Sequence, residues 1–290
     1  MLWALYGLLH SLFRAAFAET GRIFKADRWH LMFLQALFGL LFILPFVPFM
    51  SWPEGGGFYL AAVAVSLILT VGQLVQLTLA AQKGGRVSSL YMLLEAGAAG
   101  VIWVAIMPGA LGAYVQAPAM TAGIVLGYIL AAAGVLRIRP QDANWGTLAI
   151  VAPVGATFAV AGVATKLVMP QVEIVPAALT FVLINYGIVA LVMGSALAVK
   201  KKFGAGLVSG PLLKAGALTG AFSAAGYFSF VAAVSFSPNP GYVGVLAMMV
   251  PVWLMLCHKF VTREGDAARI FPALLLVAGI ATLLAAATVL

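Results

Sequence analysis

Residues Ser88–Met107 read SSLYMLLEAGAAGVIWVAIM, an apolar run interrupted by a single carboxylate, Glu95. Its length is that of a bilayer span, since ~20 helical residues cross a hydrocarbon core ~30 Å thick. The rest of the chain follows the same pattern. Of its 290 residues 64% are hydrophobic and 8% charged, about a third of the charge that a soluble domain carries. A surface so poor in charge cannot face water, so the expected fold class is all-α integral membrane. At ~20 to 25 residues per span and connection, roughly ten to twelve spans fit.

Apolar runs bounded by charge, Gly and Pro give ten segments. The first five are Leu2 to Ala18, His30 to Phe49, Phe58 to Ala81, Val87 to Met107 and Pro118 to Leu136. The second five are Trp145 to Lys166, Val175 to Val199, Pro211 to Ser235, Gly241 to Val261 and Ile270 to Leu290. The start, MLWALYGLLHSLFRAAF, lacks a basic leader and a small-residue cleavage site, so it reads as a retained first span. Between the sets lies RIRPQDANWG, the most polar connection. The expected organisation is therefore two five-helix repeats, residues 1–139 and 140–290.

The connections after helices one, three, five, seven and nine carry most of the Lys and Arg, and Lys166 is the main exception on the other face. Basic residues in short loops mark the cytoplasmic side. This puts the odd-numbered loops inside and both termini outside, in a multi-pass bacterial inner membrane protein. Five helices per half make the second repeat inverted relative to the first, a common plan of secondary transporters. GQLVQLTLAAQKGGRVSSLYMLLEAGAAGVIW overlays GYFSFVAAVSFSPNPGYVGVLAMMVPVWLML with a small loop shift, bringing Glu95 near Val250 and Gln73 against Tyr227.

The residues LLEAG at 93–97, MMVPVWLML at 248–256 and the closing REGDAARIFPALLLVAGIATLLAAATVL resemble the drug/metabolite transporter superfamily, in particular its bacterial EamA-like exporters. The resemblance covers essentially the whole chain and implies ten helices as two inverted repeats working by alternating access. In that family the fourth helix often reads Leu-Leu-Glu-Pro-Val. Glu95 keeps the Glu while Ala96 replaces the Pro; Pro251 keeps the Pro while Val250 replaces the Glu. Arg263 and Glu264 stand roughly at the family's Gly-Glu. Family members place both termini in the cytoplasm, the reverse of the charge bias here, which leaves the direction of transport open.

A charge at the centre of a spanning helix costs about 2.5 to 3.5 kcal/mol on insertion scales, so Glu95 needs a compensating role. Counted from Val87 it lies ~12 Å along the helix. A carboxylate in low dielectric suits a proton carrier. The plainer alternative is a fixed ion pair with Arg14 of the first helix, whose permanent charge demands an anion, carbonyls or water. Unpaired with Glu95, Arg14 would receive a substrate carboxylate or phosphate. His10 lies one turn before Arg14, and Tyr91 one turn before Glu95. Gln35, Gln73, Gln76, Asn185, Tyr186 and Tyr227 complete the candidate substrate site, although single amides within spans often serve only as interhelical glue.

The pairs Gly123 to Gly127 and Gly216 to Gly220 favour close helix contact; family resemblance makes an end helix a dimer element, so a monomer or homodimer is expected. Pro153, Pro251 and Pro272 are candidate kinks. The reading excludes nucleic acid as partner, since no basic cluster is interleaved with aromatics, and leaves a small-molecule substrate and membrane lipid. One cysteine, Cys257, excludes an intramolecular disulfide, and no metal or cofactor is expected. No enzyme motif is complete: EGDAAR has glutamate where a phosphatidyltransferase has its first aspartate, the two later aspartates that would hold its metal are missing, and His10, His30 and His258 are scattered. The expected function is a secondary transporter of a small polar or zwitterionic metabolite through proton coupling at Glu95. A lipid flippase of the same fold and a non-transporting scaffold are the alternatives.

Overall fold

The computed structural model describes residues 1–24, 26–83, 87, 90–138, 145–204, 207, 209–262 and 270–287. The proposed repeat boundary at 139/140, the loop residues Lys25, Arg86 and Arg139, and the Arg263 and Glu264 position lie outside them. The described residues are helical, with no strand among them. In chain order the helices are α1 (Leu2–Phe24), α2 (Arg28–Ile43), α3 (Gly56–Lys83), α4 (Tyr91–Ile106), α5 (Ala110–Gln116) and α6 (Pro118–Ile138). Then come α7 (Trp145–Val168), α8 (Ile174–Val199), α9 (Gly210–Phe236), α10 (Pro240–Ala247), α11 (Val250–Cys257) and α12 (Ile270–Ala287).

Eight helices are long and apolar enough to cross a membrane, counting α10 to α11 as one, and nine if the bent pair of α4 and α5 is a further span. The protein is thus a multi-pass, all-helical membrane protein. The helix starts follow local chemistry. Asp27 caps α2 by accepting from the backbone N–H of Trp29 and His30 at 3.1 and 3.2 Å. Asn239 caps α10 through the Gly241 N–H at 2.8 Å, with Pro240 pre-set at the first helical position.

Three expected spans differ. The first, α1, is not among those eight or nine helices; its His10, Arg14 and Glu19 lower its hydropathy. The fourth was expected as continuous from Val87; α4 begins at Tyr91, so Glu95 lies ~6 Å into it. At its other end Pro108 and Gly109, with φ +80°, turn the chain so that α5 leaves at 103°; only glycine holds that φ without strain. The ninth was expected as one run, but it breaks at Met248 and Met249. Pro251 supplies the reason, since it has no N–H to give the carbonyl of Ala247, four residues back.

The main helix pairings are α6 with α12, α1 and α2 with α9, α4 with α7 and α10, α2 with α8, α3 with α7 and α8, and α1 with α10 and α11. The pairing of α6 with α12 is made by glycines. A Cβ on Gly127 would meet the carbonyl oxygen of Gly279 at 2.7 Å, and one on Gly134 would meet the backbone of Leu276 and Pro272 at 2.7 Å. Gly123 faces Ala286, while Gly216 and Gly220 face Leu34 and Phe38 of α2. These small-residue pairs make the close helix contacts expected of them, here within the chain.

Lys166, the exception to the charge asymmetry, is not a free loop charge. Its ammonium donates to the carbonyls of Val234, Ser235 and Ser237 at 3.3, 3.3 and 2.5 Å, and lies 5.2 Å from the Trp103 ring. It closes the C-terminal end of α9, where unpaired carbonyls and the helix dipole favour a cation. Lys166→Met is expected to lower stability by about 2 kcal/mol, read as a fall in apparent melting temperature in detergent. An unchanged melting temperature would mean that these contacts contribute nothing.

Candidate functional site

The polar residues of the first helix meet those of α3 and α4 inside the bundle. On α1, Arg14 and His10 share one face because they lie four residues apart. The Arg14 guanidinium lies between two aromatic rings, 5.6 Å from the centroid of Tyr91 and 5.0 Å from that of Phe158. Those rings stack on each other with centroids 5.0 Å apart. Arg14 Nη2 donates to Gln76 Oε1 at 3.2 Å and to the Tyr91 hydroxyl. Its Nε, equally buried, has no acceptor. Planarity lets a guanidinium stack this way while still offering edge N–H groups.

Glu95 is 5% exposed. It and Arg14 line one narrow cavity together with His10, Gln73, Ser223 and Tyr227. Yet among the described residues no ion pair joins them within 4.0 Å. The fixed Arg14 to Glu95 bridge is therefore not made in this conformation, and amide and phenol oxygens hold the guanidinium instead. The cavity holds about 20 Å³, room for a water molecule. Its walls come from α1, α3, α4, α7 and α9.

His10 donates Nδ1–H to the carbonyl of Gly226 at 2.8 Å and packs its ring against Phe230 at 5.1 Å. This fixes the tautomer, leaving Nε2 the free ring nitrogen. Tyr227 brings a hydroxyl with no partner. The remaining expected residues lie beside the cavity. Gln35 Nε2 and the Tyr186 hydroxyl both donate to Ser223 Oγ, at 2.9 and 2.7 Å. Asn185 donates to Ser66 Oγ at 3.0 Å, tying α8 to α3 as interhelical glue.

Ser223 and Phe158 were not singled out from the sequence. Ser223 accepts twice and keeps its own O–H as a spare donor among the cavity residues. The available signal was its place one turn before Tyr227 on α9. Phe158 carried none, because one aromatic in an apolar helix looks like any packing residue. Trp253 ties α11 to α1 by donating to Ser11 Oγ at 2.8 Å.

A second, larger groove of about 750 Å³ opens on the flank of the bundle between α4, α6, α10 and α12. Its lining is apolar apart from one polar corner of Tyr114, Tyr242, Asn239 and Thr121, with Tyr128 committed to the carbonyl of Leu93 at 2.7 Å.

No family model matches the sequence, and no curated protein matches it. In fold, 14 solved chains match. One is a crystal structure of a protein 15% identical to this chain, with a TM-score of 0.65 over 99% of this chain and 98% of that one. The likeness extends over both chains nearly end to end. At this identity it concerns the fold alone.

Proposed function

We propose that the chain is a secondary transporter that moves a small polar or zwitterionic metabolite by alternating access, of the drug/metabolite transporter type suggested by LLEAG and MMVPVWLML. The observation that carries the reading is the pair of opposite charges, Arg14 and Glu95, lining one cavity inside the bundle without an ion pair between them. Intramembrane charges are expensive and belong to substrate or ion pathways by default. Arg14 has an unused Nε–H for a carboxylate, and Glu95 is the complementary site for an ammonium group or a proton.

The packing supports the inverted-repeat plan. Let α1, α2, α3, α4 and α6 be spans one to five, and α7, α8, α9, α10 with α11, and α12 be spans six to ten. Exchanging each span for its counterpart turns α1 on α9 into α7 on α3, α2 on α9 into α8 on α3, and α4 on α7 into α10 on α1. Each of those pairings is present. The pairings of α2 with α8, α4 with α10 and α6 with α12 map onto themselves. A cavity walled by spans one, three, four, six and eight then lies between the repeats, where rocking of one against the other would open it to either side. The basic ends at Arg22, Arg28, Arg137, Lys200 and Lys259 favour the cytoplasm for the odd-numbered loops.

Coupling follows from charge balance. With Glu95 ionised the two side chains sum to zero, which suits a zwitterion. A proton on Glu95 leaves a net positive cavity that repels an ammonium, so proton entry expels substrate. The test is transport by proteoliposomes across an imposed pH gradient, with a substrate found by thermal-shift screening of amino acids, amines and nucleosides. Glu95→Gln is expected to cut pH-driven movement to the leak rate while the protein stays folded by circular dichroism. Unchanged rate and pH dependence would sink the proton-carrier role. The second reading, a lipid flippase, is favoured by the flank groove, whose lining reaches Ala96 beside Glu95; lipid scrambling lost in Glu95→Gln would select it.

A further inference from the structure

The flank groove has a length, a lining and an unused donor that point to one ligand. Along α4 its lining runs from Ala96 to Ala105, nine residues or ~14 Å. That is about the depth of one leaflet, half of a hydrocarbon core ~30 Å thick. Its rim continues the apolar outer surface: Val101, Leu111 and Val125 are all more than half exposed. In a membrane protein that surface faces acyl chains, so the groove is filled from the same source.

The polar corner lies beside Gly100, where Asn239 Oδ1 would come 3.8 Å from an added Cβ, and Tyr114 reaches it from α5, which leaves the end of α4 at 103°. Its hydrogen bonds can be counted. Asn239 Nδ2 donates to the Tyr114 hydroxyl at 3.0 Å, and Asn239 Oδ1 accepts from Gly241. The Tyr114 and Tyr242 hydroxyls lie 2.7 Å apart, so one donates to the other. Two phenolic hydrogens thus meet one acceptor between them, and no further acceptor bonds either group. One O–H remains over, whichever residue carries it. Both phenols line the groove, and Tyr242 is 4% exposed. Carried by the buried Tyr242, a donor without an acceptor costs about 1 to 3 kcal/mol, which a ligand oxygen would recover. Tyrosine hydroxyls at a helix end also mark the level of lipid head groups.

We propose that the groove is a binding site for one membrane phospholipid. An acyl chain lies in the groove along α4 toward Ala96, and its ester carbonyl accepts the spare phenolic hydrogen of the Tyr114 and Tyr242 pair. The proposal is independent of what the cavity at Arg14 and Glu95 transports.

The full chain is reconstituted into liposomes doped with a phosphatidylcholine bearing a diazirine at the end of one acyl chain, then irradiated and mapped by peptide mass spectrometry. Adducts are expected at Gly97, Gly100 and Val245 in preference to Leu60 and Leu191, which are also exposed to lipid. Ala105→Trp, at an exposed position that blocks the groove, should reduce them to the level of Leu60. Tyr114→Phe and Tyr242→Phe singly each leave one phenolic O–H free, so each keeps the labelling. The double variant leaves no phenolic donor, only the Asn239 amide N–H released from Tyr114, and should lose up to about fivefold, the worth of one neutral hydrogen bond. The ether analogue of the same lipid, which lacks the ester carbonyl, should lose the same factor on the unaltered protein. Labelling spread evenly over all lipid-facing helices would overturn the site. Equal labelling by ester and ether lipids would overturn the assigned acceptor.

Discussion

Replacing Arg14 by methionine is expected to weaken substrate binding by about 30-fold or more, the 2 to 5 kcal/mol typical of removing one buried charge from a hydrogen-bonded recognition pair. The same change leaves Gln76 Oε1 and the Tyr91 hydroxyl without their donor, at about 1 to 3 kcal/mol each. Binding and apparent melting temperature therefore both fall. Arg14→Lys separates the two effects. It keeps the charge but not the planar group that stacks between Tyr91 and Phe158, so binding should recover partly and stability less. A double-mutant cycle with Glu95→Gln decides whether the two charges form a structural unit. Without an ion pair within 4.0 Å, the coupling in stability is expected to fall short of the about 3 to 5 kcal/mol that breaking a buried pair costs. A double variant markedly more stable than Arg14→Met alone would instead establish a fixed pair.

Gly279→Ala is expected to lower stability by about 3 kcal/mol through one added methyl group. Its Cβ would lie 2.4 Å from the Ala131 nitrogen and 2.7 Å from the Gly127 oxygen, both backbone atoms that no rotamer change can move. To admit it, α6 and α12 must separate, and the glycine contacts along that seam loosen together. Gly187→Ala is the control. It lies within α8 with nothing within 4 Å of the added atom, so it should be neutral or stabilising by about 0.5 to 1 kcal/mol. Equal melting temperatures for the two variants would mean that the α6 to α12 seam is not packed as described.

Eight or nine of the ten expected spans were legible, because bilayer insertion depends on the summed hydropathy of a local segment, which is a property of composition. The places where that reading slipped are places where one residue redirects the backbone: Gly109 at the end of α4 and Pro251 in the ninth segment. His10, Arg14, Gln73, Tyr91, Glu95 and Tyr227 were visible as polar groups out of place in apolar helices, and they line one cavity. The same signal marked Asn185, Tyr186 and Gln35, which bond to serines beside it. Being polar in a span shows that a side chain needs a partner; it does not show which one.

By itself the sequence determined the class, the approximate spans and the deep charges, because the cost of moving a residue into lipid is local. Only the tertiary structure decided that Arg14 rests on Gln76 and Tyr91 rather than on Glu95, and that Ser223 and Phe158 join the cavity. It also decided that the glycines of α6 meet those of α12 within one chain. The physical reason is that helix rotation and pairing are fixed by steric fit between surfaces far apart in sequence. That information resides in no single segment.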